Sequence, residues 1–166
     1  MCKTVILSDT HNNQSILKEV FLHESGYTHI IHLGDDYEDL DETPELTVNA
    51  LLVRVPGIFH KGYLTKTIPN IRGFKIGKWK IAITHRLEDF SNLNSHYDIY
   101  LYGHTHHPLY QRIGSRHFIN PGHLKDHTDR GTKASYATMK IQGNQIELEF
   151  KHLDGITFNR KILNNK

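Results

Sequence analysis

Four short apolar runs in this chain each end at an aspartate or a histidine, and that recurrence constrains the fold more than any other feature. Residues 3–7 lead into Ser8-Asp9-Thr10-His11 and residues 28–33 into Gly34-Asp35. The run closing at Thr84 leads into His85, and residues 98–102 lead into Gly103-His104-Thr105-His106. Each run has the length and the β-branched or aromatic content of a buried strand. In α/β sheets, ligands bind beyond the carboxyl ends of the strands, so the four polar endings can converge on one rim.

The rest of the chain fits that frame. A helix is predicted from about residue 13, with Asn12 or Asn13 as N-cap, Ile16, Leu17, Val20 and Phe21 on its buried face, and Gly26 as its C-terminal cap. Residues 51–55 read as a third strand. Residues 68–84 read as a hairpin around Gly77-Lys78 in which Trp79, Ile81 and Ile83 alternate. A short helix is expected over 87–93. Strands follow at 109–113, 117–119, 136–141 and 145–150, with Gly114 and Gly143 in turns. Strand and helix alternate early while the later half is mostly β, which predicts a layered α/β sandwich with two sheets.

Composition narrows the class. The chain has 166 residues, and no linker, repeat or low-complexity stretch divides it, so one domain over 1–166 is expected. Hydrophobic content of 37% and charged content of 23% fit a soluble globular protein. No apolar run approaches the ~18 residues of a membrane span, and the opening residues do not form a signal peptide. A net charge of +2 gives no argument for nucleic acid. The single cysteine, Cys2, is compatible with a reducing cytoplasm.

Histidine is the compositional oddity, at 14 residues. Most, including His23, His96, His107, His117, His127 and His152, read as surface or hydrogen-bonded side chains, and His29 and His32 as core histidines with partners. Those at the strand ends differ. In an extended backbone, residues i and i+2 point the same way, so Asp9 with His11, and His104 with His106, can each share an ion. Mixed carboxylate and imidazole donors suit Mn, Fe, Ni or Zn better than calcium.

With these motifs in place, the sequence resembles the calcineurin-like metallophosphoesterases, and most of all their small bacterial and archaeal phosphodiesterase branch, which includes the retromer subunit Vps29. The resemblance rests on Ser8-Asp9-Thr10-His11-Asn12, His32-Leu33-Gly34-Asp35, Thr84-His85 and Tyr102-Gly103-His104-Thr105-His106. Asn120-Pro121-Gly122 and Ser135-Tyr136-Ala137 add the late motif. It implies a four-layer αββα sandwich with two mixed sheets and two divalent transition metal ions, manganese first and nickel, iron or zinc as alternatives. By matching position, Asp9, His11 and His106 hold the first ion, Asp35 bridges, and His85 and His104 hold the second. The implied activity is hydrolysis of a small or nucleotide-like phosphoester, with a hydroxide between the ions as nucleophile.

One motif departs from that pattern. Where the family has Gly-Asn-His or Gly-Asn-Cys, this chain has Gly57-Ile58-Phe59-His60. Ile58 replaces an asparagine ligand of the second metal and has no lone pair, so that site is expected to bind weakly. Phe59 stands where the family often has a histidine that protonates the leaving group. Loss of such an acid costs roughly 10²–10⁴-fold on esters with poor leaving groups, so activated aryl phosphodiesters suffer least. His60 is the tentative catalytic substitute, alternatively a surface histidine. His123 is a weaker candidate for a substrate contact, more readily an ordinary loop residue. The acidic residues 36–42 read as a solvated helix start. Tyr97, Tyr100, Tyr102 and Tyr110 near the last ligands read as packing residues, with a nucleobase platform as the alternative. The rival to the hydrolase is a Vps29-like protein-interaction scaffold that keeps the fold and some metal. No oligomeric state follows from the sequence.

Overall fold

A computed structural model describes residues 1–165. The strands are β1 (Cys2–Leu7), β2 (His29–His32), β3 (Leu51–Arg54), β4 (Ile71–Ile76), β5 (Trp79–Thr84), β6 (Ile99–Leu101), β7 (Leu109–Ile113), β8 (Arg116–Asn120), β9 (Thr128–Asp129), β10 (Thr132–Lys133), β11 (Tyr136–Gln142), β12 (Gln145–Lys151) and β13 (Thr157–Asn164). Two large sheets result, ordered β13-β12-β11-β1-β2-β3 and β4-β5-β6-β8-β7, beside a small β9–β10 pair. Both large sheets are mixed. β1 runs parallel to β2 and antiparallel to β11, while β6 runs parallel to both β5 and β8.

Strand alternation sorts the side chains into layers. Ile6 and Ile31 point between the sheets and meet Ile81, Ile83, Leu101 and Ile119 from the other side. Val5, Leu7 and Ile30 point the opposite way and are covered by Ile16, Leu17 and Val20 of helix α1 (Gln14–Leu22). Over the far face of the five-stranded sheet, Phe90 packs edge-on to Tyr100, which stacks on Phe118 at 4.7 Å between ring centroids. The architecture is therefore the α/β sandwich with two mixed sheets. Its outer layer on that side is a 3₁₀ turn, Leu87–Asn92, where the sequence predicts a short helix over 87–93.

Helix α1 begins as expected, with the Asn13 side chain accepting from the Ile16 N–H. It ends earlier than expected. His23 is the C-cap, with its N–H on Val20 O, and Gly26 (φ +64°) belongs to the following turn. Strand β13 is absent from the sequence expectation. Only Leu163 of its residues is buried, as befits the edge of the sheet, so no apolar alternation marks it. Lys161, Arg160 and its asparagines blunt that edge against pairing with other chains.

Candidate metal centre

The ends of β1, β2, β5 and β6 do meet. Asp9, His11, Asp35 and His106 place one ligand atom each within 4.8 Å of one another. His11 Nε2 lies 3.0 Å from Asp35 Oδ2, and His106 Nε2 lies 3.2 Å from Asp9 Oδ1. His85 Nε2 lies 3.4 Å from Asp35 Oδ1 and 3.9 Å from Asp9 Oδ1. The His104 ring packs on His85, with centroids 5.1 Å apart. Four of the six predicted ligands form the tight cluster, His85 adjoins it through Asp35, and His104 lies beside His85 through its ring; Asp35 turns one carboxylate oxygen to His11 and the other to His85.

The backbone that brings them together differs from the sequence expectation. Asp9, His11, Asp35, His104 and His106 all have φ between 32° and 69°. Extended i and i+2 pairing is therefore not what aligns Asp9 with His11, or His104 with His106. Left-handed turns do so instead. Such a conformation costs a non-glycine residue ~1–3 kcal/mol and persists where surroundings over-determine it.

Those surroundings are close-fitting glycines and buried hydrogen bonds. A Cβ on Gly34 would lie 2.6 Å from His85 Nδ1, and one on Gly103 would lie 1.9 Å from Ser8 Oγ and 2.8 Å from Asp9 Oδ2. The Ser8 hydroxyl donates to Asp9 Oδ2 at 2.6 Å, and the His104 N–H donates to the same oxygen at 3.0 Å. Asn120 donates to the Gly103 carbonyl at 2.9 Å and to Thr105 Oγ1 at 3.0 Å, which fixes the turn carrying His104 and His106.

The donor set fits a cation. His85 Nδ1–H donates to Leu33 O at 2.8 Å, which leaves the Nε2 lone pair buried, facing Asp35 and without a hydrogen-bond partner. His106 Nδ1 pairs with Asp129 Oδ2 at 2.6 Å, so its Nε2 is turned to the cluster, 3.2 Å from Asp9 Oδ1 and 3.4 Å from His11 Nε2. Two ligands ~2.1 Å from one tetrahedral ion lie ~3.4 Å apart, close to the spacings found here.

Electrostatics follow from this crowding. Burial alone would raise the Asp35 pKa, but the His11 hydrogen bond and the neighbouring imidazoles hold it below its ordinary value. Burial opposes charge on His106, yet its hydrogen bonds to Asp9 and Asp129 raise its pKa. The His106 partnership in turn holds Asp129 down at about 2. Asp129 is a residue sequence reasoning missed. It lies 23 residues from its partner, in the two-residue strand β9, with no motif around it. Loss of a carboxylate behind a metal-binding histidine costs roughly 10–100-fold in affinity. Asp129→Asn is expected to weaken metal binding at this cluster by that factor in competition against a chromogenic chelator. Unchanged affinity would contradict the role.

Two other readings change. His123 is fully buried and stacked on His106, centroids 5.3 Å apart, with Nε2 donating to Thr132 O. It is a loop residue, but a buried one that packs behind the cluster. Asp39, in the acidic run, is 3% exposed and accepts from the Asn12 N–H, so it is not solvated; burial pushes its pKa up to about 6. His32 behaves as predicted, buried with Nε2 on Thr10 Oγ1 at 3.0 Å. Its pKa falls from 6.5 to about 4, chiefly through burial.

These two groups act oppositely on stability. His32 is depressed in the folded state, so its contribution is complete above pH 6.5 and is lost as pH falls toward 4. Asp39 is raised, so its contribution is present below its unfolded value of 3.8 and is lost as pH climbs through about 6. The two partly cancel in the whole profile. His32 therefore shows in a difference: the stability gap between wild type and His32→Asn is expected to widen by a few kcal/mol from pH 4.5 to 7. Urea unfolding with chelator present measures it, and a gap independent of pH would contradict the assignment.

His60 lies at the N-terminus of the short helix Lys61–Leu64. Its Nδ1 accepts from the Gly62 N–H at 2.9 Å, and Nε2 is 3.1 Å from Glu38 Oε1. Both ring nitrogens are therefore engaged, although His60 lines a cleft of about 400 Å³ with His11, Asp35 and Gly57. Ile58 is half-buried beside it and Phe59 is 84% exposed.

Two mixed sheets with carboxylates and imidazoles gathered on one rim define an α/β sandwich with a candidate metal site. The chain belongs to the calcineurin-like phosphoesterase superfamily, a metal-dependent group, whose family model, "Calcineurin-like phosphoesterase superfamily domain", matches residues 2–144. Solved structures similar to it include a predicted phosphoesterase from Streptococcus pneumoniae, 21% identical, with 99% of this chain and 98% of that chain covered and a TM-score of 0.73. Yfce, a phosphoesterase from E. coli, is 20% identical, covered over 98% and 100%, with a TM-score of 0.73. Vps29 from Chaetomium thermophilum is 16% identical, covered over 100% and 96%, with a TM-score of 0.75. No curated protein matches the chain. Among the described residues, no helix is long and apolar enough to cross a membrane.

Proposed function

We propose that this chain is a cytoplasmic metal-dependent phosphodiesterase that uses two divalent transition ions, manganese first among them, on a small or nucleotide-like phosphoester. The observation that carries this reading is the divided carboxylate of Asp35, one oxygen toward His11 and the other toward His85. A carboxylate so placed is what two neighbouring cations require. Asp9, His11 and His106 would hold one ion with Asp35, and His85 and His104 the other. Ions bound there supply Lewis acidity, lowering the pKa of water and offsetting charge on phosphoryl oxygens.

The chain's own residues set the rest. Asp129 and Leu33 O fix the ring orientations of His106 and His85, keeping the Nε2 lone pairs on the cluster. Ile58 offers no donor, so a second ion would be held by Asp35, His85 and His104 alone and would bind more weakly. Three protein ligands with an open position still describe a catalytic site. Since Gly62 donates to His60 Nδ1, the His60 proton sits on Nε2, the atom an acid would use, and reaching a leaving group means leaving Glu38.

Hydrolysis of an activated aryl phosphodiester, with Mn, Ni, Zn and Fe each added to chelated protein, tests the reading. Turnover that appears with metal and disappears with chelator supports it. The second reading, a protein-interaction scaffold, draws on Phe59, an apolar ring left in water where the family often has an acid. Inertness with all four metals, together with a stoichiometric protein partner, would decide for the scaffold.

A further inference from the structure

We infer that the apolar pocket beside His104 is a subsite for one uncharged, apolar arm of a phosphodiester, an inference that rests on the phosphodiesterase reading above. The pocket has a volume of about 320 Å³ and is lined by Leu87, Glu88, Tyr102, His104, Pro108 and Leu109 among others. Two candidate ligand segments build it. The 3₁₀ turn that follows His85 contributes Leu87 and Glu88, and the segment that carries His104 and His106 contributes the remainder. His104 is thus shared between the candidate metal centre and the pocket wall.

The chemistry of the lining selects the occupant. Leu87 is 38% exposed and Leu109 46% exposed, so both leave apolar surface that a ligand arm would take out of water. No lysine or arginine lines the pocket, and its one acidic lining residue is Glu88, whose carboxylate lies 3.8 Å from Arg86 Nε. A second phosphate is therefore disfavoured, and a neutral ring or alkyl group is favoured. At about 320 Å³ the pocket lies at the lower end of the ~300–1,000 Å³ range of ligand sites, enough for one ring-sized substituent.

The cleft beside His11 and Asp35 contrasts with it, since Asp36, His60 and Lys61 line that cleft and Phe59 is its aromatic member. One cleft thus adjoins Asp35 and the other adjoins His104, and the two have unlike polarity. A monoester has a single arm and leaves one of them empty, whereas a diester with unlike arms fills both. In the reaction, the oxygen of one water joins phosphorus as one ester P–O bond breaks. The departing alkoxide takes a proton from that water, giving an alcohol and a phosphomonoester.

Calorimetric binding of diphenyl phosphate and dimethyl phosphate to manganese-loaded protein tests the subsite. Diphenyl phosphate is expected to bind at least about tenfold tighter, in keeping with what a few apolar atoms contribute in a fitted pocket. Leu109→Asp and, independently, Leu87→Ser should remove that preference while leaving dimethyl phosphate unchanged. Leu22→Asp, at an exposed position of α1, should keep it. Leu87→Ser preserves the test if the change on β7 impairs folding. Equal binding of the two esters, or a preference that survives both substitutions, overturns the subsite and leaves the phosphodiesterase reading standing. Binding of neither ester overturns both.

Discussion

Asp35→Asn is expected to reduce metal-dependent hydrolysis of an aryl phosphodiester by more than about a hundredfold. Loss of a partner behind a ligand already costs roughly 10–100-fold, and Asp35 is in the cluster itself. Its two oxygens, 3.0 Å from His11 Nε2 and 3.4 Å from His85 Nε2, reach both halves of the site. An asparagine keeps one acceptor oxygen, so one half would lose its ligand, and the negative charge that would offset two cations is gone. The side chain keeps its size and Asp35 is only half-buried, so the chelated protein should unfold within several degrees of wild type. Steady-state kinetics over a metal series checks the result. Activity within a few-fold of wild type would mean that Asp35 does not join two ions.

Gly57→Ala is expected to have the second large effect, and it acts without replacing a candidate ligand. A Cβ at this position would lie 2.1 Å from Asp35 Oδ1, 2.8 Å from Asp35 Cα and 2.9 Å from Asp35 N. Two of those atoms are backbone, so rotating the Asp35 side chain does not relieve the clash. Overpacking of this kind costs ~1–3 kcal/mol, a fall of several degrees in melting temperature for a chain of this length. The carboxylate also moves, so binding of the second ion should be lost. Gly77→Ala is the control. It sits at φ +58° in the β4–β5 turn with nothing near its Cβ, so it should lose about 1 kcal/mol and keep both ions. Equal metal binding in both variants would contradict the close fit of Gly57 under Asp35.

The sequence was most informative where function concentrates chemistry. Strand runs ending at Asp9, Asp35, His85 and His104 located the rim, because apolar β-branched residues followed by polar ligands are a local pattern. The N-cap at Asn13 and the Gly77-Lys78 turn were legible for the same reason. What was hidden depends on contacts distant in sequence or on backbone conformation. Asp129 reaches His106 across 23 residues. His123 and Asp39 became buried only through the assembly of separate segments. Strand spacing points to two extended ligand pairs, whereas left-handed backbone at five of the six candidate ligands does the alignment. Strand β13 went unseen because an edge strand with one buried residue carries no periodicity.

In the proposed two-ion site, the departure at Ile58 and Phe59 bears on how strongly a second ion would be held. With Ile58 apolar and His60 engaged by Gly62 and Glu38, nothing in the Gly57–His60 turn supplies the missing donor. The first site should therefore fill at lower metal concentration than the second. Titration of chelated protein is expected to show two unequal steps.

The central claim is that Asp35 joins two cations, and anomalous scattering from crystals grown with excess manganese tests it most directly. Two peaks are predicted, one among Asp9, His11 and His106 and one beside His85 and His104, with the Asp35 carboxylate between them. Saturating metal that leaves no ion in contact with Asp35 would contradict the account.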